Sequence, residues 1–161
     1  MSDAPFRVGV IADTHGHLDE GALRALSGVD LLLHAGDVGS DRVLEALRGV
    51  APVVAVTGNG DEALQHRLPW DQRVRLGASR VLLCHWWDNF GRLHPRIERE
   101  LAAWRPHVLV YGHTHEARIE HRDGVLLLNP GYAGPPGLGR SRSVARLHLD
   151  DGAPRAEIVA L

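Results

Sequence analysis

Residues 6–37 read FRVGVIADTHGHLDEGALRALSGVDLLLHAGD, and this stretch decides the fold class. Residues 6–12 (FRVGVIA) form a short apolar run that reads as a strand, and a loop begins at Asp13. Residues 18–26 then place Ala22, Leu23 and Leu26 on one side, the spacing of a short amphipathic helix. Residues 29–34 (VDLLLH) read as a second buried strand. Further on, Ser40 offers an N-cap, Val43, Leu44 and Leu47 share a helix face, and Gly49 suits the stop. A third strand follows at residues 53–57 (VVAVT). Strand, helix, strand, helix, strand with short connections means right-handed crossovers and a parallel sheet.

The second half has a different grammar. Residues 73–76 and 80–84 pair as a hairpin across Gly77-Ala78-Ser79. Pro95 opens a helix with Ile97, Leu101 and Trp104 on one side, closed before Pro106. Residues 108–111 make another buried strand. Asp123-Gly124 is a hairpin signal between residues 117–121 and 125–128, and Asp150-Asp151-Gly152 plays the same part between 143–149 and 156–160. The Gly/Pro-rich segment 129–139 (NPGYAGPPGLG) reads as a surface loop, and no linker divides the chain.

Composition narrows the function classes. The 161 residues, 44% hydrophobic and 24% charged, suit one globular domain whose core needs no covalent staple. A single cysteine, Cys84, excludes an internal disulfide framework and a Cys-rich zinc module. Net charge −2 speaks against a broad electrostatic grip on polymeric nucleic acid. The first residues, MSDAPFRVGVIAD, lack the basic cluster and long apolar run of a signal peptide, and no stretch approaches the roughly 20 apolar residues of a membrane helix. A cytoplasmic protein with no membrane partner is the expectation.

Polar residues gather where strands stop. Strand one ends in Asp13-Thr14-His15, strand two in Gly36-Asp37, and strand three in Gly58-Asn59-Gly60-Asp61. The run at 81–84 ends at His85, and the next strand ends in Gly112-His113-Thr114-His115. Ligands bind at the C-terminal strand edge of open α/β sheets, so five strands deliver Asp, Asn and His to one rim. Carboxylate, amide oxygen and imidazole are the donors that hard or borderline divalent cations take. In an extended segment, the i,i+2 spacing of Asp13 and His15, and of His113 and His115, would turn each pair to one side. Taken singly, each piece has a plainer reading: an Asx turn, a turn asparagine, a packed core histidine. Five strand ends acquiring ligand-type residues by accident is the weaker account.

In this order the motifs resemble the calcineurin-like metallophosphoesterases. The short length, the Asp-Thr-His-Gly start and Asn129-Pro130-Gly131 are similar to that family's small single-domain bacterial and archaeal branch. The resemblance runs from Val8 to about Gly131. It implies one metallophosphoesterase domain over residues 1–161, an α/β four-layer αββα sandwich with mixed sheets. It also implies a dinuclear centre of two divalent metal ions, manganese first, with Fe, Zn or Ni as alternatives. Asp13, His15 and His115 would hold one ion, Asn59, His85 and His113 the other, and Asp37 would bridge. Asp37, Asn59 and His113 would be the catalytic set, with a hydroxide bridging the ions as the nucleophile on phosphorus. Asp61 is expected behind the ligands, accepting from a ligand histidine or capping a turn.

Two departures from the family pattern bear on substrate. Many members carry a histidine between the Asn and the acid of the third motif, thought to protonate the leaving group; here Gly60 stands instead. His17 and His94 are the substitutes to weigh, both expected in solvated loops. The family usually places a glycine after the fourth-motif histidine; here Trp86 and Trp87 follow. Alternation turns one indole toward the core edge and the other toward the rim, where it could stack an aryl group or nucleobase. Arg140 and Arg142 read as an exposed pair on a turn that could also meet a phosphate. The expected function is a phosphodiesterase on small or nucleotide-like phosphodiesters. A phosphomonoesterase with the same site, and a weakly active scaffold or binding module of the same fold, are the alternatives. Homo-oligomerisation is left open.

Overall fold

The computed structural model describes residues 6–86, 92–150 and 153–161. Trp87 therefore lies outside the described residues. Ten strands and three helices follow in the order β1 (Phe6–Ile11), α1 (Glu20–Ala25), β2 (Leu31–His34), α2 (Asp41–Arg48), β3 (Val53–Ala55), β4 (Asp71–Leu76), β5 (Ser79–Cys84), α3 (Pro95–Trp104), β6 (Val108–Val110), β7 (Arg118–Arg122), β8 (Val125–Asn129), β9 (Ser143–Leu149) and β10 (Arg155–Ala160). They make two mixed five-stranded sheets, β10-β9-β1-β2-β3 and β4-β5-β6-β8-β7.

Helical crossovers join β1 to β2, β2 to β3 and β5 to β6, whereas β6 reaches its parallel neighbour β8 by way of β7. β1, β2 and β3 run parallel, with Val10 opposite Leu33 and Leu33 opposite Val54. β9 and β10 add an antiparallel hairpin on the far side of β1. In the second sheet β5, β6 and β8 run parallel, and β4 and β7 pair antiparallel at the edges. Asp123 and Gly124 both take positive φ (50° and 79°), the conformation that lets a two-residue turn match strand twist.

Alternation along the strands sorts the apolar residues into layers. Val8 and Val10 of β1, Leu33 of β2, Val81 and Leu83 of β5, Val108 and Val110 of β6, and Ala145 and Leu147 of β9 bury into one cluster between the sheets. The residues out of phase with them face the helices. Ile11, Leu32 and Val144 pack with Val43, Leu44 and Leu47 of α2 and Ala22 of α1. Leu82, Cys84, Leu109 and Leu127 pack with Ile97 of α3. The result is the expected αββα order of layers. Trp70 and Trp104 stand half-buried at the margin of the third cluster. Cys84 is wholly buried, and burial pushes its thiol pKa up, so it behaves as a small apolar residue.

The Gly/Pro-rich segment departs from expectation. Residues 129–134 are buried and only 135–140 are exposed. Its first half is drawn in because Asn129 and Tyr132 support the rim described next.

Candidate metal centre

Stacking the two sheets sets the C-terminal ends of β1, β2 and β3 against those of β5 and β6, and the polar loops meet there. The loops after β1 and β2 are laced by backbone bonds, Asp13 N to Gly36 O at 3.0 Å, His15 N to Asp37 O at 2.9 Å and Gly16 N to Val38 O at 2.8 Å. The side chains converge, though not through extended backbone. Asp13, His15, Asp37, His113 and His115 all take positive φ, between 48° and 73°. That conformation costs a residue with a Cβ about 1 kcal/mol or more, and it gathers here on the residues that aim into one space.

Two groups of donors face each other across Asp37. In the first, His115 Nε2 is 3.3 Å from Asp13 Oδ1 and 3.3 Å from His15 Nε2. The donor atoms of Asp13, His15, Asp37 and His115 all lie within 4.8 Å of one another. In the second, Asn59 Oδ1 is 2.9 Å from His85 Nε2 and 3.0 Å from His113 Nδ1. The Asp37 carboxylate turns one oxygen to each group: Oδ2 is 3.8 Å from His15 Nε2, and Oδ1 is 3.6 Å from His85 Nε2. Asp13, Asp37 and His85 are buried, whereas His15 is 36% exposed, so one side of the cluster opens to solvent.

The donors suit a cation. Asp13 Oδ1 is buried with no hydrogen-bond partner among the described residues, a costly state for a carboxylate oxygen that a cation relieves. His85 Nδ1 donates to Ala35 O at 2.7 Å, since a carbonyl can only accept. In the neutral ring that leaves a lone pair on Nε2, facing the lone pairs of Asn59 Oδ1 with no proton between them. A backbone carbonyl thus sets the His85 tautomer in the way that favours ligation. Burial, and then the neighbouring His85, hold His113 below the ordinary histidine pKa, which keeps its lone pair free of a proton near neutrality.

Among the described residues Asp61 takes the capping role. Its carboxylate accepts from three backbone N–H groups, Val38 at 3.0 Å, Gly39 at 2.8 Å and Gly58 at 2.9 Å, and so ties the β2 and β3 loops together around Asp37. Glycine at 58 is obligatory for that fit, because a Cβ there would stand 2.2 Å from Asp37 Oδ1. Gly60 donates its N–H to the same oxygen at 2.7 Å. Asn129 clamps the fifth motif, its Nδ2 donating to Gly112 O at 3.1 Å and Thr114 Oγ1 at 3.0 Å.

The remaining substrate-contact expectations fare unevenly. Trp86 stacks on Trp70, ring centroids 5.9 Å apart and planes 9° apart, so one face is already covered by protein. It also stands 5.8 Å from the His113 ring and edge-on to His85 at 5.5 Å, a wall behind two donors rather than an open platform. His17 is occupied by Asp19 at 3.3 Å, and His94 caps α3 by accepting from Arg96 N. Arg142 is tied to Asp19 at 2.8 Å and to Gly134 O, while Arg140 reaches the rim at His115.

Two supporting residues escape a sequence reading. Tyr132 packs its ring 4.9 Å from His115 and 6.1 Å from His15. His34 is fully buried: Gly36 N donates to its Nδ1 at 3.2 Å, its Nε2 bonds Thr14 Oγ1 at 2.9 Å, and that hydroxyl donates to Val38 O at 2.8 Å. The chain pins the Asp13 loop to the Asp37 loop from beneath. Burial pushes the His34 pKa down to about 4, opposed by Asp13 and Asp61. In the unfolded chain the same group titrates near 6.5, so below that pH the unfolded state binds the extra proton. Stability is therefore lost as pH falls from 6.5 toward 4, by up to about 3 kcal/mol from this group. Urea unfolding of the metal-free protein at pH 7 and pH 4 measures it. His34→Gln should flatten the dependence, and an unchanged pH slope in that variant would refute the assignment.

The fold thus carries at one sheet edge a cluster of carboxylate and imidazole donors that could hold a metal ion. Residues 6–152 match the family model of the calcineurin-like phosphoesterase superfamily domain, and the chain belongs to that superfamily. It is 34% identical to a probable metallophosphoesterase of Methanothermobacter thermautotrophicus, over 94% of this chain and 91% of the relative. It is 33% identical to phosphodiesterase YfcE of Escherichia coli strain K12, over 86% of this chain and 85% of the relative. Among solved structures, Vacuolar Protein Sorting 29 of Cryptosporidium parvum shares the fold with a TM-score of 0.74 and 22% identity, covering 98% of both chains.

Proposed function

We propose that this protein is a dinuclear metal-dependent phosphodiesterase acting on small or nucleotide-like phosphodiesters. The observation that carries the reading is Asp37, whose two carboxylate oxygens face separate donor groups at 3.8 and 3.6 Å. Asp13, His15 and His115 would hold one cation, Asn59, His85 and His113 the other, with Asp37 shared. A cation pair so held supplies an activated water and neutralises charge growing on the phosphoryl oxygens. The protein's own part is placement. Gly60 N–H and the Asp61 clamp fix the Asp37 loop, and Ala35 O fixes His85. The half-open side at His15 admits the ester. The name of the Escherichia coli relative, a phosphodiesterase, favours diesters over monoesters.

Metal analysis, then assay of the manganese-reconstituted protein on paired mono- and diesters, tests the reading. Two ions per chain and a higher kcat/KM for bis(4-nitrophenyl) phosphate than for 4-nitrophenyl phosphate are expected. The reverse preference would make it a monoesterase with the same site. The likeness to Vacuolar Protein Sorting 29 supports a second reading, a scaffold of the same fold. A protein that takes up no metal and stays inert with Mn or Ni would favour it.

Leaving-group protonation is the weak point of the site. Gly60 has no side chain to donate, His17 is held by Asp19, and His94 is spent on a helix cap. General acid assistance is typically worth about 10²–10⁴-fold, so without it the rate must follow leaving-group stability. Between 4-nitrophenyl and phenyl diesters, kcat/KM should fall by about 10²-fold or more. A flat dependence on leaving-group pKa would show that a proton donor acts here after all.

A further inference from the structure

Arg140 stands at the rim, and among the described residues no anion balances it. Its Nη1 donates to His115 Nδ1, and its guanidinium carbon lies 5.3 Å over the Tyr132 ring. No carboxylate is within ion-pair distance among the described residues, although Arg142, two positions on, is paired with Asp19 at 2.8 Å. Arg140, His115, Thr114 and Ser141 line an open cavity of about 490 Å³, and Glu116, which also lines it, makes no ion pair with Arg140. Tyr132 in turn packs on both His115 and His15, so the arginine is braced by the same ring that supports two of the donors.

A guanidinium stays charged at every working pH and presents a planar fork suited to phosphate. Placed beside residues that would hold divalent cations, it is repelled unless an anion lies between. An imidazole that gives Nε2 to a cation keeps its proton on Nδ1, so the contact with Arg140 must open in the loaded site, while Tyr132 still holds the guanidinium over the rim. We propose that Arg140 binds a non-bridging phosphoryl oxygen of the substrate on the His15/His115 side, as a specificity-determining residue outside the metal ligands. This rests on the phosphoesterase reading above.

Calorimetric titration of the manganese-reconstituted protein with inorganic phosphate tests it, alongside KM for bis(4-nitrophenyl) phosphate and metal content. Arg140→Ala should bind phosphate about ten- to a hundredfold more weakly, the range of a lost charge-assisted hydrogen bond, with KM rising in step and metal content unchanged. Arg140→Lys should recover part of the affinity, because the charge remains and the fork does not. Phosphate binding by Arg140→Ala within twofold of the parent would overturn the proposal. Loss of metal from that variant would overturn it too, by making Arg140 a support for His115. A parent that binds two ions yet neither binds phosphate nor cleaves any ester would bring down the phosphoesterase reading, and the role of Arg140 with it.

Discussion

Replacing Asp37 by alanine should lower kcat/KM on a diester at least about a thousandfold, about 4 kcal/mol of transition-state stabilisation. Losing one oriented donor from a hydrolytic site typically costs about 10²–10³-fold, and Asp37 stands in both donor groups at once. Metal content should fall from the proposed two ions per chain to one or none. Stability should change with opposite sign in the two states of the protein. Without metal, Asp37 and Asp13 are two buried carboxylates whose oxygens lie within the same 4.8 Å cluster, and removing one relieves their repulsion. The metal-free variant should melt no lower than the metal-free parent, and should show less of the rise in melting temperature that added manganese is expected to give the parent. An Asp37→Ala protein that keeps two ions and a tenth of the activity would refute the shared-ligand role.

Gly36→Ala should damage both stability and the second donor group. An added Cβ would lie 2.7 Å from both Cβ and Nδ1 of His85, and Gly36 sits at φ +88°, where any other residue is strained. The ring cannot step aside cheaply, because it is fully buried and bonded to Ala35 O at 2.7 Å. Backbone strain of about 1 kcal/mol and overpacking of about 1–3 kcal/mol together lower the melting temperature by about 5–15 °C. Displacing His85 should also empty the second donor group, leaving about one ion per chain. Gly28→Ala is the control, since Gly28 has φ +74° but nothing within 4 Å of the added carbon. If Gly36→Ala melts within 2 °C of Gly28→Ala and still holds two ions, the packing argument fails.

These outcomes turn on features of unequal legibility. The strands that carry the donors could be read because each is a short apolar run closed by glycine, aspartate, asparagine or histidine. The donor residues could be read because the chain places them at strand ends, where an α/β fold puts its ligands. The supporting parts could not. In the sequence Asp61 reads equally as a partner for histidine or a turn cap, and only the fold shows three backbone N–H groups taking its oxygens. Tyr132 sits in what looks like surface loop, and nothing local reveals that two imidazoles lie against it. Arg140 and Arg142 form one motif in the sequence, but Asp19 takes only the second.

His34 and His85 mark the boundary between the two kinds of information. Each ends an apolar run, LLLH and VLLCH, and by sequence the two are equivalent. The sequence by itself determined the strand pattern, the order of the five polar motifs and the chemistry of their donors, because periodicity and residue type are local properties. Only the tertiary structure decided what each histidine does. His85 follows Val81 and Leu83 in phase and points between the sheets, where Ala35 and Asn59 arrive from the other one. His34 follows Leu32 and points to the outer layer, where Thr14 takes it. Which phase faces the opposite sheet depends on how the two sheets stack, a contact between segments about fifty residues apart (|i−j| is 50 for His85 and Ala35) that no local pattern carries.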